Sequence, residues 1–257
     1  MDRVILVGRL DVAELVFYAF VLFFIGLVYY LRREDRREGY PLEDEITGRV
    51  DSAYGLLTAS TYKEFRLPFD RGIASTPTKG REPVEIAARR VARFGGAPYE
   101  PTGNPLADGV GPAAYAQRAD WPDLDMEGRI RIVPISTDDH FWLERRDPDV
   151  RGWKIYGADK REAGTITDIW VDRSDRVVRY FEVALASGRT VLTPVGFTTV
   201  RGGRRRVDVD SISADQFAGA PMLATAGQIT RREEDQLMGY FGGGYLYGLP
   251  GRTEPLL

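Results

Sequence analysis

Twenty residues near the amino terminus, 12–31 (VAELVFYAFVLFFIGLVYYL), contain a single charged side chain, Glu14. An α-helix of twenty residues rises about 30 Å, which matches the hydrocarbon thickness of a bilayer. A signal peptide would have a shorter apolar core and a small-x-small cleavage site, and neither is present. A helix packed on a soluble domain would show one polar face. The run therefore predicts a transmembrane helix at 12–31.

The charged residues on either side of this run predict its orientation. Four arginines follow the run and two precede it, namely Arg32, Arg33, Arg36 and Arg37 against Arg3 and Arg9. Basic residues beside a membrane-spanning helix concentrate on the cytoplasmic side, and acidic residues contribute little to this bias. The sequence therefore predicts a non-cytoplasmic tail at 1–11 and a cytoplasmic body from residue 32 onward.

The composition excludes several classes of site. The chain contains no cysteine, which removes disulfides, thiolate nucleophiles and cysteine metal sites. Its single histidine, His140, excludes a multi-histidine metal centre within this chain, and we expect no metal site. The net charge of −3 argues against nucleic acid as the main partner.

Residues 46–120 contain few periodic segments and are punctuated by proline and glycine, as in LPFDRG, STPTKGREP and GNPLADGVGP. A stretch of this length without regular elements is uncommon inside a self-sufficient domain. It is also too apolar and aromatic to be a disordered linker. We therefore interpret residues 32–120 as an extended segment that lies on another protein chain.

From residue 128 onward the sequence is typical of short β-strands. Segments rich in β-branched and aromatic residues alternate with turns such as DRSD, ASG and RGG. Strands at this spacing predict an antiparallel meander or small barrel, in a domain that covers 121–257.

A helix is predicted after the strands. The pattern TRRE at 230–233 is a capping box, which predicts a helix that runs through about Tyr240. We expect Leu237, Met238 and Phe241 to form its buried face. The glycines of GGGY at 242–245 are expected to end it.

The sequence offers little machinery for catalysis. The glycine runs GVG and GGG lack the spacing and the following lysine of phosphate-binding loops. A nucleophile–histidine–acid triad would have to use His140, which lies in the charged loop TDDHFWLERRDPD and is more simply interpreted as solvated. We therefore expect a non-catalytic polypeptide and not an enzyme.

Two groups of acidic residues are the remaining candidates for chemistry. WPDLDMEGR places Asp123, Asp125 and Glu127 at alternate positions, on one face if the chain is extended. DIWVDRSDR adds three more, Asp168, Asp172 and Asp175. Clustered carboxylates raise one another's pKa and can pass protons near neutral pH, whereas isolated ones at turns and strand edges are only solvated. The residues alone leave both interpretations open.

Five segments together carry a family pattern. They are DVAELVFYAFVLFFIGLVYYLRREDRREGYPLE (11–43), PTGNPLADGVGPAAYAQR (101–118), GTITDIWVDRS (164–174), QFAGAP (216–221) and ITRREEDQLMGYFGGGYLY (229–247). In this order and at this spacing, the chain resembles the H subunit of the purple-bacterial photosynthetic reaction centre.

The resemblance implies both a fold and a function. The fold is a single N-terminal transmembrane α-helix followed by a mostly β cytoplasmic domain with a small antiparallel barrel of PRC type and a short C-terminal helix. H subunits bind no cofactor themselves and cap the cytoplasmic face of the L and M subunits, which hold bacteriochlorophyll, bacteriopheophytin, quinones and a non-haem iron. They shield the quinone sites and help to deliver protons to the secondary quinone during light-driven electron transfer.

The resemblance also implies a location and partners. The chain is expected to cross the bacterial inner (intracytoplasmic) membrane once, with a periplasmic amino terminus. Its expected partners are the L and M subunits and membrane lipids, with a light-harvesting antenna and a cytochrome subunit as further candidates. The alternative is a stand-alone membrane-anchored PRC-barrel adaptor protein. A tethered hydrolase is disfavoured because its nucleophile machinery is missing.

Several positions match functional positions of the family. Asp125 matches an acid in the proton-entry segment, where some relatives carry two histidines in place of Glu127 and Arg129. Asp172 matches an interior acid near the quinone pocket, Asp175 stands where some relatives have glutamate, and Arg179 matches a basic residue nearby. The resemblance thus implies proton transfer by Asp125, Glu127, Asp172, Asp175 and Arg179.

A second set of positions is expected to meet the surroundings of the helix. The resemblance implies lipid or subunit contacts for Tyr30, Arg32, Arg33 and Tyr40.

Overall fold

Two compact units make up the described part of the chain. The computed structural model describes residues 5–7, 10–34, 44–49, 63–75 and 85–252. The first unit is formed by Met1–Glu85 with Ala92–Ala97, and the second by Ile86–Val91 with Pro98–Leu257.

In its described residues, the first unit contains one long helix and two short hairpins. Its elements are β1 (Ile5–Val7), β2 (Leu10–Asp11), α1 (Val12–Glu34), β3 (Glu64–Arg66) and β4 (Ile73–Ser75). The helix begins where the Asp11 carboxylate accepts a hydrogen bond from the Glu14 amide at 2.8 Å. It continues three residues beyond the predicted apolar run, into the first arginines.

Helix α1 exposes its apolar side chains on all sides. None of its residues is buried within the structure, and Leu22 and Phe23 remain 70% and 63% exposed. It is also the one helix in the described residues that is long and apolar enough to cross a membrane. An exposed apolar surface of this length is stable only in a non-polar environment, so α1 matches the predicted membrane anchor.

The second unit is built around β-strands. Its elements are β5 (Ala88–Arg90), β6 (Tyr99–Pro101), α2 (Pro105–Asp108), β7 (Ile132–Pro134), β8 (Lys154–Tyr156), β9 (Glu162–Asp172), β10 (Val177–Leu185), β11 (Thr190–Pro194), β12 (Thr198–Arg201), β13 (Arg206–Val209) and α3 (Arg231–Tyr247). Short 3₁₀ helices cover Gly111–Ala113, Ile135–Thr137, Val195–Phe197, Gly202–Arg204 and Ala214–Gly219.

Seven strands form one twisted sheet in the order β11-β10-β9-β8-β13-β12, and β7 also pairs with β9. The long strand β9 has β10 on one side; on the other side it pairs with β8 near its start and with β7 at its end. Asp172 therefore lies opposite Ile132, at the carboxyl end of β9. This register brings the residue before β7 next to the last residue of β9.

One strand pair differs from the predicted antiparallel pattern. Strands β8 and β13 run parallel, with Ile155 opposite Val207. Strands β9 to β12 lie between them in the sequence. Parallel neighbours need a long connection of this kind, so that the chain can return and run in the same direction. The prediction of a purely antiparallel sheet was wrong for this pair.

The core lies between the sheet and helix α3. Its largest fully buried side chains include Trp170 and Tyr180 from the sheet and Phe241 from α3. Leu237 is also buried, as predicted, but Met238 is 45% exposed, so its predicted place in the buried face was wrong. Met238 follows Leu237 by one position, which turns it about 100° around the helix and away from the core.

The glycines of α3 allow close packing and do not end the helix. The predicted end at 242–245 was wrong, because the helix continues to Tyr247. A Cβ on Gly243 would lie 2.5 Å from Cβ and 2.9 Å from Cα of Ala113. A Cβ on Gly242 would be 3.8 Å from its nearest neighbour, an ordinary van der Waals distance.

This difference gives a prediction for two neighbouring substitutions. Gly243→Ala should lower the free energy of unfolding by about 1–3 kcal/mol, because the added methyl overpacks the contact with Ala113. Gly242→Ala should be neutral or stabilising by up to about 1 kcal/mol, because alanine favours the helix. Thermal unfolding of the full-length protein in detergent measures both. Equal effects of the two variants would contradict the close approach.

Residues that precede the sheet also pack on α3. The Ala116 amide donates to the Asp235 carboxylate at 3.0 Å, and Arg118 lies 3.2 Å from the same group. Part of the segment that the sequence assigned to a partner therefore also contacts this chain's own helix. The partner-covering role of residues 32–120 stays a prediction.

Candidate functional site

Arg131 joins three carboxylates at the end of strand β9. Its Nε atom lies 2.9 Å from both carboxylate oxygens of Asp172. Its Nη2 atom donates to Asp175 at 2.6 Å, and Nη1 donates to Asp123 at 3.4 Å. We call these four residues the Arg131 cluster. The pairing of β7 with β9 assembles it from segments that are 41 to 44 residues apart.

Asp172 is the buried member of the Arg131 cluster. Its side chain is 2% exposed, and its Oδ1 atom also accepts bonds from the amides of Ser174 and Asp175 at 2.9 and 3.0 Å. Burial by itself raises the pKa of this carboxyl, but the bonds from Arg131 and from the two amides outweigh it and hold the pKa below its ordinary value. Asp172 is therefore a fixed negative charge at neutral pH.

The lowered pKa of Asp172 predicts an acid-dependent contribution to stability. Because the folded-state pKa lies below the unfolded value of about 3.9, the contribution is complete above about pH 4 and is lost as the pH falls through the folded value. Asp172→Asn should thus be clearly less stable than the wild type at neutral pH, and the difference should shrink on acidification. Thermal unfolding in detergent across that range tests this. A difference that stays constant with pH would contradict it.

Asp175 is the exposed member of the cluster. It lies in the turn between β9 and β10, and its side chain is 56% exposed. The Asp172 carbonyl accepts a bond from the Arg176 amide at 2.8 Å, which closes this turn. Asp172 and Asp175 thus meet at one guanidinium, with one carboxylate inside the protein and one at its surface.

A polar cleft of about 250 Å³ opens beside Arg131. Its carboxylates are Asp123, Asp172, Glu234 and Asp235. Its cations are Arg118, Arg131, Arg179 and Arg231, so the formal charges balance. We call this space the polar cleft; it is large enough to hold several water molecules.

Arg179 and Glu234 face each other in the polar cleft. Nη2 of Arg179 lies 3.7 Å from Oε2 of Glu234, and the Tyr180 hydroxyl donates to the same oxygen at 3.3 Å. The family resemblance implied a role for Arg179, but Glu234 and Arg131 were not predicted. Glu234 follows Glu233, the glutamate of the capping box, and nothing in the sequence distinguished it from a solvated helix residue.

The segment 123–131 forms a tight loop and not an extended strand. The Asp125 amide donates to the Arg129 carbonyl at 2.9 Å, which turns the chain back on itself. Asp123 lines the polar cleft, Asp125 is buried in the loop, and Glu127 stands 66% exposed at its tip. The three acids would share one face only in an extended chain, and this loop is not extended.

Asp125 holds this loop together. Its carboxylate accepts bonds from the amide and the Nε atom of Arg129, both at 2.8 Å, and from the Glu127 amide at 3.0 Å. Burial acts to raise the pKa of Asp125, but these bonds outweigh it and the pKa is lowered. Asp125 is therefore placed to stabilise the loop, whereas Glu127 is free to face solvent.

The remaining acidic and histidine candidates lie elsewhere. Asp168 accepts a hydrogen bond from the Ser136 hydroxyl. His140 is 93% exposed and lies 3.2 Å from the buried Asp138 carboxylate. Within the described residues, no group of three or more His, Cys, Asp or Glu side chains is arranged to hold a metal ion.

Comparison with known families decides what kind of chain carries this site. The family model of the photosynthetic reaction centre, H-chain N-terminal region, matches residues 4–137. A PRC-barrel domain model matches residues 144–216. The chain belongs to the photosynthetic reaction-centre H-chain family. The PRC-barrel match covers strands β8 to β13, which confirms the predicted fold class.

Membership of the H-chain family establishes the protein's general role. It is an H subunit of a reaction centre, in a family of structural subunits that assemble with others into a membrane complex. The apolar helix α1 anchors it in the membrane, and the family implies that the cofactors of the complex are bound by partner subunits.

The helix residues expected to meet lipid or neighbouring subunits lie at the end of α1. Tyr30 is 57% exposed, and Arg32 and Arg33 occupy the last turn, where cations interact favourably with the helix dipole. Tyr40 lies outside the described residues.

Proposed function

We propose that this H chain caps the cytoplasmic face of the L and M subunits, shields their quinone sites from bulk water and helps to deliver protons to the secondary quinone. The observation that carries the proposal is the polar cleft beside Arg131, where the buried Asp172 and the exposed Asp175 share one guanidinium. The family match supports the assembly, and this geometry supports the proton path.

The cleft has the features that a proton path needs. A chain of water molecules in a polar space can carry a proton, and its walls must supply both donors and acceptors. The carboxylates and arginines provide them while keeping the cleft electrically neutral overall. Asp172 stays ionised and lowers the free energy of a proton that passes near it. Asp175 reaches solvent and can exchange protons with it.

The loop at 123–131 fits the outer end of such a path. Glu127 faces solvent at the loop tip and is placed to collect protons, and Arg129 lies 3.3 Å from it. Asp125 fixes the loop through its bonds to Arg129 and the Glu127 amide. We propose that Asp125 and Glu127 serve proton entry in these two different ways. Arg179 serves the inner part through its contact with Glu234.

The proposed location follows from the anchor. The arginines after the helix favour a cytoplasmic body from residue 32 and a periplasmic amino terminus in the bacterial inner membrane. Tyr30, Arg32 and Arg33 would then lie at the cytoplasmic interface, where such side chains contact lipid headgroups and neighbouring helices. The partner L and M subunits would hold bacteriochlorophyll, bacteriopheophytin, quinones and non-haem iron. An antenna and a cytochrome subunit are further proposed partners.

Purification in mild detergent tests the proposed partners. We expect this chain to co-purify with two other membrane subunits and with the absorption bands of bacteriochlorophyll and bacteriopheophytin. A chain without the anchor, residues 32–257, is the matched control and should retain less pigment. A colourless full-length chain, recovered alone from membranes that contain reaction centres, would instead favour the stand-alone adaptor.

A further inference from the structure

The four carboxylates of the polar cleft have unequal surroundings. Asp172 accepts bonds from Arg131 and from two backbone amides. Asp235 accepts a bond from the Ala116 amide and pairs with Arg118 at 3.2 Å. Asp123 shares the Arg131 guanidinium at 3.4 Å and is 41% exposed. Each of these three acids has a guanidinium within 3.4 Å of its carboxylate.

Glu234 differs from these three acids. Its side chain is 17% exposed, and its nearest cation, Arg179, lies 3.7 Å away and is itself 43% exposed. The hydrogen-bond partner of its carboxylate is the neutral hydroxyl of Tyr180, at 3.3 Å. A hydroxyl can donate to a carboxylate and can equally accept from a protonated carboxyl, so this partner suits both protonation states of Glu234.

The fold positions Glu234 in the cleft by using its neighbour as the helix cap. Glu233 accepts bonds from the Thr230 and Ala224 amides at 2.7 and 2.6 Å. This capping box fixes the first turn of α3. Glu234 is thereby left to point toward Tyr180 of β10, and its side chain is not needed to cap the helix.

We propose that Glu234 is the group that takes up and releases a proton inside the polar cleft, with Tyr180 as its hydrogen-bond partner and Asp172 as a fixed anion beside the path. This inference rests on the proposed role in proton delivery and assigns the exchanging residue within it. Arg131 and Arg179 are positioning residues, because they hold the charges that set the proton affinity of Glu234.

The electrostatic environment of Glu234 agrees with this assignment. Burial raises the pKa of Glu234 above its ordinary value, the attraction of Arg179 and the Tyr180 bond oppose that rise, and repulsion from Asp123 and Asp172 adds to it. The pKa of Asp172 moves the opposite way. A carboxyl group exchanges protons best when its pKa is close to the working pH. Glu234, whose pKa is raised, is therefore a better proton carrier than Asp172, whose pKa is lowered.

Charged and titratable groups from every wall surround the cleft that contains Glu234. Strand β10 contributes Arg179 and Tyr180, strand β9 contributes Asp172, and helix α3 itself contributes Arg231 and Asp235. The segment before β7 adds Arg118, Asp123 and Arg131. Burial raises the pKa of Tyr180, which keeps its proton on the hydroxyl.

The proton step balances without any redox change in this chain. Protonated Glu234 breaks its O–H bond and gives the proton to a water molecule in the cleft, which passes a proton onward. The resulting carboxylate accepts the Tyr180 hydrogen bond. A hydronium ion from the solvent side then gives its proton to the carboxylate, becomes water and restores the neutral acid.

Infrared difference spectroscopy on the assembled complex tests the inference. Light-minus-dark spectra should contain a carboxyl C=O band that shifts in D₂O and disappears in Glu234→Gln. The same variant should slow flash-induced proton uptake about fivefold, because it removes a proton-exchanging group, and Glu234→Asp should keep a shifted band and partial uptake. Glu162→Gln is the control, because Glu162 pairs with Lys154 at 2.6 Å on the surface away from the cleft.

The outcomes separate this inference from the proposed function. If Glu234→Gln keeps the band, or loses the band but takes up protons at the wild-type rate, Glu234 is not the carrier and the inference is overturned. If the Glu234 inference is overturned but Asp175→Asn still slows proton uptake, the proposed delivery of protons through the cleft is retained. If neither variant slows uptake, both fail. If Glu234→Gln does not assemble, Glu234→Asp is the test. An unchanged carboxyl band and an unchanged rate of proton uptake in that variant would overturn the inference.

Discussion

Arg131→Met is expected to lower the free energy of unfolding of the β-sheet unit by about 3 kcal/mol. The substitution removes the guanidinium that bridges Asp172, Asp175 and Asp123 and leaves a buried carboxylate without its charge partner. Methionine fills a similar volume, so the loss is mainly electrostatic. The hydrogen bonds from two backbone amides to Asp172 remain. The expected loss of stability is therefore at the lower end of the range for a broken buried ion pair. Amide hydrogen exchange along β9 in the full-length protein measures it.

Arg151→Met is the matched control for this prediction. Arg151 lies 2.6 Å from Asp149, but the two side chains are 42% and 49% exposed, so solvent screens the pair. We expect its loss to change stability by less than about 1 kcal/mol. Similar losses in the two variants would mean that the Arg131 cluster is only a surface ion pair.

The second large effect is expected for Asp175→Asn in proton-coupled electron transfer. The transfer of the second electron to the secondary quinone should slow by about tenfold, because an amide can neither donate nor accept a proton as a carboxylate does. The first electron step requires no net protonation of the quinone and should keep its rate. Flash spectroscopy on the assembled complex resolves the two steps, and Asp175→Glu should restore most of the rate.

A matched control for Asp175 is available at the other end of the sheet. Asp210 is 53% exposed and lies 3.8 Å from Lys160, so it resembles Asp175 in exposure and in having a cationic neighbour. Asp210→Asn should leave both electron steps unchanged. If the Asp175 and Asp210 variants behave alike, Asp175 is a solvated turn residue and takes no part in proton transfer.

Much of the fold could be predicted from local sequence patterns. The apolar run predicted α1, and the alternation of β-branched segments with turns predicted the strands, because both signals lie within a few residues. The parallel pairing of β8 with β13 depends on a return of the chain after about fifty residues, which no local pattern encodes. The glycines of α3 were misinterpreted for a related reason. Their role is to approach Ala113, a contact from a distant segment.

The candidate site was partly predictable. Asp172 and Asp175 stood out as neighbouring acids in one turn, but Arg131 joins them from 41 residues away, through the register of β7 on β9. Asp125 illustrates the opposite error. Its spacing suggested a row of carboxylates, whereas its bonds to Arg129 and Glu127 make it the centre of a tight loop. Glu234 was hidden beside a capping glutamate, and only tertiary packing separates the two.

Removal and return of this subunit test the central claim most directly. Reaction centres stripped of the H chain should still perform the first light-driven charge separation, but they should take up protons and transfer the second electron to the secondary quinone slowly. Addition of the wild-type chain should restore both rates, whereas addition of Asp175→Asn should restore assembly without restoring the full rate. Stripped complexes that reduce the quinone and take up protons as fast as intact ones would contradict the account.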